Sequence, residues 1–363
     1  MEHSAARATR PATPVTIGTP EADRLTDALD LVSVRVGGEA LFATDEFFAP
    51  KENLLQPQPA VFIPGKYTEF GKWMDGWESR RKRTPGYDYC LLRMGIPGRI
   101  QAFEVDTAHF LGNFPEHCSI DAAAFEGTPS LETLQHSDAW VNLVPILPLQ
   151  GGTRNLFAVQ DERRFTHLRL NIYPDGGVAR FRVYGEALPD WERMPSDALI
   201  DLAAVENGGI ALLCNDMFFS HRNNLIMPGR SVNMGDGWET RRKRGAGHDW
   251  LILRLGARGV LERIEVDTNH FKGNFPESCS IEGADLGAEA ATLPSNFLSS
   301  RSIAWTELLS RTPLQAHHRH FYEADALATR QPFTHIRLNI FPDGGISRLR
   351  LWGRRLLSSG GQG

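Results

Sequence analysis

Apolar and polar residues alternate with period two along much of this chain, in runs that are short. In Phe165-Thr166-His167-Leu168-Arg169-Leu170-Asn171-Ile172 the side chains of Leu168, Leu170 and Ile172 fall on one face of an extended segment, and His167, Arg169 and Asn171 fall on the other. The same holds from Val260 to Asp267, where Ile264 and Val266 oppose Glu265 and Asp267, so Asp267 and its counterpart Asp106 are expected to leave the sheet pointing away from the core. Asp88-Tyr89-Cys90-Leu91-Leu92-Arg93 and Asp249-Trp250-Leu251-Ile252-Leu253-Arg254 are apolar runs bounded by turn residues, which suits buried strands. Pro174-Asp175-Gly176-Gly177 signals a turn, with Arg180 to Tyr184 returning as the other arm of a hairpin. Helical periodicity is scarce, and only Glu21 to Asp30 predicts a short helical turn. Many short strands without a βαβ series predict an all-β chain of antiparallel sandwiches.

The pattern occurs twice. Asp75-Gly76-Trp77-Glu78-Ser79-Arg80-Arg81-Lys82-Arg83 returns as Asp236-Gly237-Trp238-Glu239-Thr240-Arg241-Arg242-Lys243-Arg244, at an offset of 236 − 75 = 161. The words around Asp45 and Asp216 are offset by 216 − 45 = 171, which puts a ten-residue insertion in the first copy, within Gln56 to Phe70. A chain of 363 residues is also long for one core and comfortable for two. The expected organisation is a flexible N-terminal segment 1–20, a first repeat 21–188, a linker 189–197, a second repeat 198–356 and a flexible tail 357–363.

Composition narrows the partners. Hydrophobic residues make up 41% and charged residues 23%, the profile of an ordinary globular protein, and the net charge of −5 makes nucleic acid a poor partner. No apolar run approaches the roughly 20 residues that span a bilayer. Cys90, Cys118, Cys214 and Cys279 form neither a C-x-x-C pair nor a disulfide framework, which favours a reducing compartment.

An aromatic residue, a carboxylate and four cations recurring together point to a polar site. The plainer reading is a solvated basic strand kept in both copies. If the word is a strand, Glu78 shares a face with Arg80 and Lys82 while Arg81 and Arg83 take the other, so one set can line a pocket and the other can bind structural carboxylates. Asp106 and His109, like Asp267 and His270, are three apart, so the carboxylate could orient the imidazole; an Asx turn with a backbone-bonded histidine is the alternative. His317, His318 and His320 form a histidine-rich loop but lack a fixed metal-ligand spacing. A competing class is a carbohydrate-binding module presenting Trp77 and Trp238 as sugar platforms.

The words Asp-Gly-Trp-Glu-x-Arg-Arg-Lys-Arg, His-Phe-x-Gly-Asn-Phe-Pro and Thr-His-x-Arg-Leu-Asn-Ile-x-Pro-Asp-Gly-Gly, in fixed order from about Asp30 to Trp352, resemble those of the allantoicase family. The resemblance implies two tandem jelly-roll domains similar to galactose-binding modules, a homo-oligomer, and hydrolysis of allantoate to ureidoglycolate and urea in purine breakdown; a cytoplasmic enzyme fits it. Breaking the bond from carbon to urea nitrogen requires an acid and a base, with direct hydrolysis and elimination followed by hydration both open. The candidates are Glu239, Asp267 and His270, with Glu78, Asp106 and His109 as counterparts. Arg80, Arg81, Arg241 and Arg242 are candidates for the substrate carboxylate, and Asn113, Asn274, Asn171 and Asn339 for the ureido groups. His167, Arg169, His335 and Arg337 complete the expected binding wall. No cofactor is implied with certainty, and a divalent metal ion stays open.

Overall fold

The computed structural model describes residues 11–287 and 303–356. The expected tail 357–363 and the first ten residues of the expected lead lie outside the described residues. The chain divides into two compact units, Met1–Leu188 and Pro189–Gly363.

In the first unit one long strand, Asp88–Asp106, runs through a single nine-stranded sheet and carries both layers of the sandwich. Its first half pairs with Glu39–Ala43 and Phe165–Tyr173, and its second half pairs with Arg180–Ala187 and Arg154–Ala158. From Phe165–Tyr173 the first layer continues to His117–Ala123 and Val141–Pro148. All these pairings are antiparallel. Phe103, Val105, Leu168, Leu170, Ile172, Phe181 and Val183 are fully buried, as the alternation requires. The second unit repeats the plan around Asp249–Asp267, which pairs with Ile210–Cys214, Phe333–Phe341, Arg348–Arg355 and Arg319–Glu323. Each unit is a jelly-roll sandwich.

Three expectations need correction. The lead was expected to be flexible to residue 20, but Thr13–Val15 pairs with Arg154–Ala158. The helix Pro20–Thr26, capped by Thr19, then packs Ala22 and Leu25 against Ala102, Leu156 and Tyr184. A few well-spaced apolar side chains are enough to anchor a segment whose composition looks polar. Asp106 and Asp267 do not point into solvent: both are buried, because the chain turns beneath them and the amides of Ala108 and Asn269 donate to their carboxylates at 2.8 and 2.9 Å. The basic word is a strand only at Trp77–Glu78 and Trp238–Glu239, so strict alternation stops before the arginines.

His167 and His335 sit under this architecture, 3% and 0% exposed. Burial, helped by the nearby Arg93 and Arg254 charges, pushes each imidazole down to about 4. Between pH 6.5 and about 4 the unfolded chain therefore takes up protons that the native chain refuses, and native stability is lost as pH falls. Urea unfolding at pH 7 and pH 5 should show a drop in midpoint that His167→Gln and His335→Gln together reduce; an equal drop in the variant would contradict this.

Candidate functional site

Three repeated words meet at one end of each sandwich. Gly177 pairs with Glu78, and Gly345 with Glu239, in short two-stranded ladders. The amide of Gly177 donates to the carbonyl of Asn113 at 2.7 Å, and that of Gly345 to Asn274 at 2.9 Å. A Cβ on Gly177 or Gly345 would collide with the ring of Phe110 or Phe271, so only glycine lets the turn come this close. The result is that Asn113 and Asn274 face the glutamates. The Asn113 side-chain amide donates to Glu78 Oε1 at 2.6 Å, and Asn274 donates to Glu239 Oε1. Burial raises both carboxyls above their ordinary 4.5, opposed by these hydrogen bonds.

The arginines divide by task. Arg80 and Arg241 are anchors: each donates its amide and Nε to the carboxylate of Asp45 or Asp216, with the Nε distances 2.7 and 2.8 Å. Despite burial, which works the other way, hydrogen bonds from the amides of Phe47 and Arg80, or of Arg241 and Phe218, with those from the guanidinium, hold these aspartates below their ordinary range. The indole Nε1 atoms of Trp77 and Trp238 donate to the carbonyls of the same aspartates, and both rings are fully buried. Neither tryptophan can serve as a sugar platform. Lys82 and Lys243 are tied twice, through the amide to Asp175 or Asp343 at 2.7 Å and through Nζ to the buried Asp88 or Asp249 at 2.8 Å. Arg81 and Arg242 lie between these fixed points, exposed, and among the described residues neither guanidinium makes a hydrogen bond or ion pair.

In the second unit these groups open on a cavity of about 650 Å³ lined by Glu239, Arg242, Lys243, Asn274, Asp343 and Phe219, among others. Of the residues expected from sequence, Glu239, Arg242 and Asn274 come together here, and the pairing of Glu78 with Asn113 is reproduced in the first unit. The remaining candidates stand elsewhere. Asp106 and Asp267 do not touch His109 and His270; the imidazole Nε2 atoms meet the carbonyls of Ala60 and Ser231 at 3.1 and 3.0 Å. Asp267 lines a separate cavity. Arg169 and Asn171 bond Asp121, Arg337 and Asn339 bond Glu282, and His167 and His335 bond the adjacent threonines. Those rows are seams between neighbouring strands: Arg337 lies opposite Glu282, and Arg169 opposite Asp121, in register.

Sequence reasoning passed over Asp175 and Asp343, read only as turn residues, and over Lys82 and Lys243. Their repetition inside the same words was the available signal. Cys118 and Cys279 are buried thiols pushed up to about 12, which suits packing rather than nucleophilic chemistry. In the histidine-rich loop His317 Nδ1 accepts the His270 amide, and both ring nitrogens of His320 are engaged by backbone. Among the described residues no three His, Cys, Asp or Glu side chains are grouped so as to hold a metal ion.

A duplicated jelly roll with a half-buried carboxyl and an unpaired guanidinium lining one cavity has the groups to hold a small anion and to exchange a proton. The Allantoicase repeat model matches residues 29–188 and 200–356. The chain belongs to the allantoicase family. It is 49% identical over 328 residues to "Probable allantoicase 1" of Burkholderia mallei, covering 90% of this chain and 94% of that protein. It is 47% identical over 327 residues to the allantoicase of Dictyostelium discoideum, covering 90% of this chain and 87% of that one. The crystal structure of allantoicase from Saccharomyces cerevisiae is 34% identical with a TM-score of 0.78, covering 94% of this chain and 99% of that chain.

The division between anchors and the free cation is testable in unfolding experiments. Asp216→Ala removes the acceptor for two amides and a guanidinium and should cost about 2–3 kcal/mol. Arg242→Ala should stay within about 0.5 kcal/mol. Equal losses for the two variants would show that Arg242 is also structural.

Proposed function

We propose that this chain is an allantoicase, a hydrolase that converts allantoate and water to ureidoglycolate and urea, working at the cavity that holds Glu239. Family membership over nearly the whole chain supports the reaction. The observation that carries the site is the Glu239 carboxyl, held by Asn274 beside the unpaired Arg242 in one cavity.

The substrate offers a carboxylate and two ureido arms on one carbon. Arg242 receives the carboxylate, for which a planar guanidinium without a competing partner is suited. Asn274 and the backbone at Gly344 surround the ureido groups. Glu239 acts as its carboxylate, stabilised by the Asn274 amide, and burial, which raises its pKa, makes it a better base than an exposed glutamate. It removes a proton from the incoming water as the carbon–oxygen bond forms, and returns that proton to the urea nitrogen as the carbon–nitrogen bond breaks. If expulsion of urea comes first, the carboxylate takes the N–H proton of the remaining ureido arm and delivers it to the leaving nitrogen, and in the second step it takes a proton from water and gives it to the imine nitrogen as the carbon–oxygen bond forms. The first unit repeats the constellation with Glu78, Asn113 and Arg81, so both halves are candidates for turnover.

The remaining expectations fit this reading. A homo-oligomer would cover apolar surface such as Phe218, 64% exposed, and Val232, 76% exposed. None of the four cysteines forms a disulfide, which suits the cytoplasm.

Urea release from allantoate tests the reading. Glu239→Gln and Glu78→Gln should each lower kcat, and the double variant should lose at least about 10³-fold, the scale of a lost acid–base group. In the wild type the acid limb of kcat/KM should lie above 4.5, since activity requires an ionised carboxyl whose pKa is raised. Full turnover in the double variant would overturn the assignment. Arg81→Ala and Arg242→Ala together should raise KM about 10- to 100-fold with little change in kcat.

A further inference from the structure

The second unit holds another cavity, of about 400 Å³, among Arg230, Asp267, Arg348, Arg350, Asp201 and Trp352. Its charged groups are not all satisfied. Arg350 gives Nη2 to the carbonyls of Met227 and Gly229 at 2.6 and 2.8 Å, while Nη1 is buried and has no hydrogen-bond partner. Its Nε stands 3.6 Å from Asp201 Oδ2, an ion pair too long for a good hydrogen bond. Arg230 reaches Asp267 Oδ2 at 3.5 Å with its own side chain 56% exposed. Glu206 and the tightly paired Glu265 and Arg319 also line the cavity, while Arg230, Arg350, Asp267 and Asp201 offer guanidinium donors and carboxylate oxygens whose mutual contacts are loose.

The equivalent place in the first unit is packed differently. Arg182 and Asp30 correspond to Arg350 and Asp201, but Tyr184 takes the place of Trp352 and donates its hydroxyl to Glu104. Leu25 of the helix Pro20–Thr26 packs over Tyr184. No apolar helix of this kind covers Trp352 among the described residues, and Pro59 of the first unit gives way to Arg230. In the second unit a cavity lies beside Trp352, with an added cation, Arg230, among its lining residues.

We propose that this cavity binds a small carboxylic acid bearing amide or ureido N–H groups, at a site separate from the one that holds Glu239. Arg230 and the free Nη1 of Arg350 take the acid, and the Asp267 and Asp201 oxygens accept its N–H groups. The choice of class rests on the function proposed above, because allantoate and ureidoglycolate both have this chemistry. Occupancy has a route to the catalytic word: Arg348, which lines the cavity, bonds the Asp236 carboxylate at 3.1 Å and the Asp236 carbonyl, three residues before Glu239. The ligand would thus bear on the segment that presents the reacting carboxyl.

The test is calorimetric titration of the full chain carrying Glu78→Gln and Glu239→Gln, so that allantoate is bound without being consumed. The probes are allantoate, ureidoglycolate, urea and acetate, with Arg230→Met and the plugging variant Leu199→Trp added to the same background. Leu199 lines the cavity and is 42% exposed, and Arg230 is exposed too, so neither change threatens the fold. The expected result is one class of site for a ureido acid that weakens at least tenfold in both variants, with acetate and urea at least tenfold weaker than either ureido acid. Isotherms unchanged by both variants would overturn the proposal, and so would acetate binding as well as allantoate. Urea release by the otherwise wild-type chain is measured alongside: its failure refutes the enzyme reading, whereas an unaltered isotherm with normal release refutes only this second site.

Discussion

Asn274 does two jobs at once, and the site depends on their coincidence. Its carbonyl accepts the amide of Gly345, fixing the Gly-Gly turn, while its side chain donates to Glu239 on the strand that pairs with that same turn. A carboxyl partly withdrawn from water costs stability unless a donor meets it. Here the donor comes from the turn that also positions the strand, so local backbone geometry and carboxyl chemistry are one constraint. Asn113 imposes the same constraint in the first unit.

Around that contact the structure sorts its charges. Arg241 and Lys243 spend their positive charge on Asp216 and Asp249, which locks the segment on both sides of Arg242. A free guanidinium between two anchored neighbours is pre-organised, since little side-chain or backbone freedom remains to be lost when an anion arrives. The buried Trp238 belongs to the anchoring, through its bond to the Asp216 carbonyl.

Much of this was legible in the sequence. Alternation in Leu168, Leu170 and Ile172 pointed to the sandwich, because a strand with one apolar face must turn that face to a core. The duplicated word singled out Glu239 and Arg242, and reasoning about faces anticipated that some cations would serve structural carboxylates. The faces themselves were misjudged, since the word leaves the ladder after Glu239 and alternation no longer applies. The pairing of Asp267 with His270 was not legible for a different reason. Residues three apart can meet only if the backbone curls that way, and here the left-handed φ of 69° at His270 carries the ring to the Ser231 carbonyl. His335, Arg337 and Asn339 show the limit of periodicity: it established a polar face but not whether that face meets ligand or a neighbouring strand.

The position of the bound anion is decisive. A crystal structure of the Glu239→Gln variant soaked with allantoate should show the substrate carboxylate against the Arg242 guanidinium, with a ureido nitrogen within hydrogen-bonding distance of Asn274 or of the substituted side chain. Allantoate bound at another place, with the Arg242 guanidinium still without a partner, would contradict it.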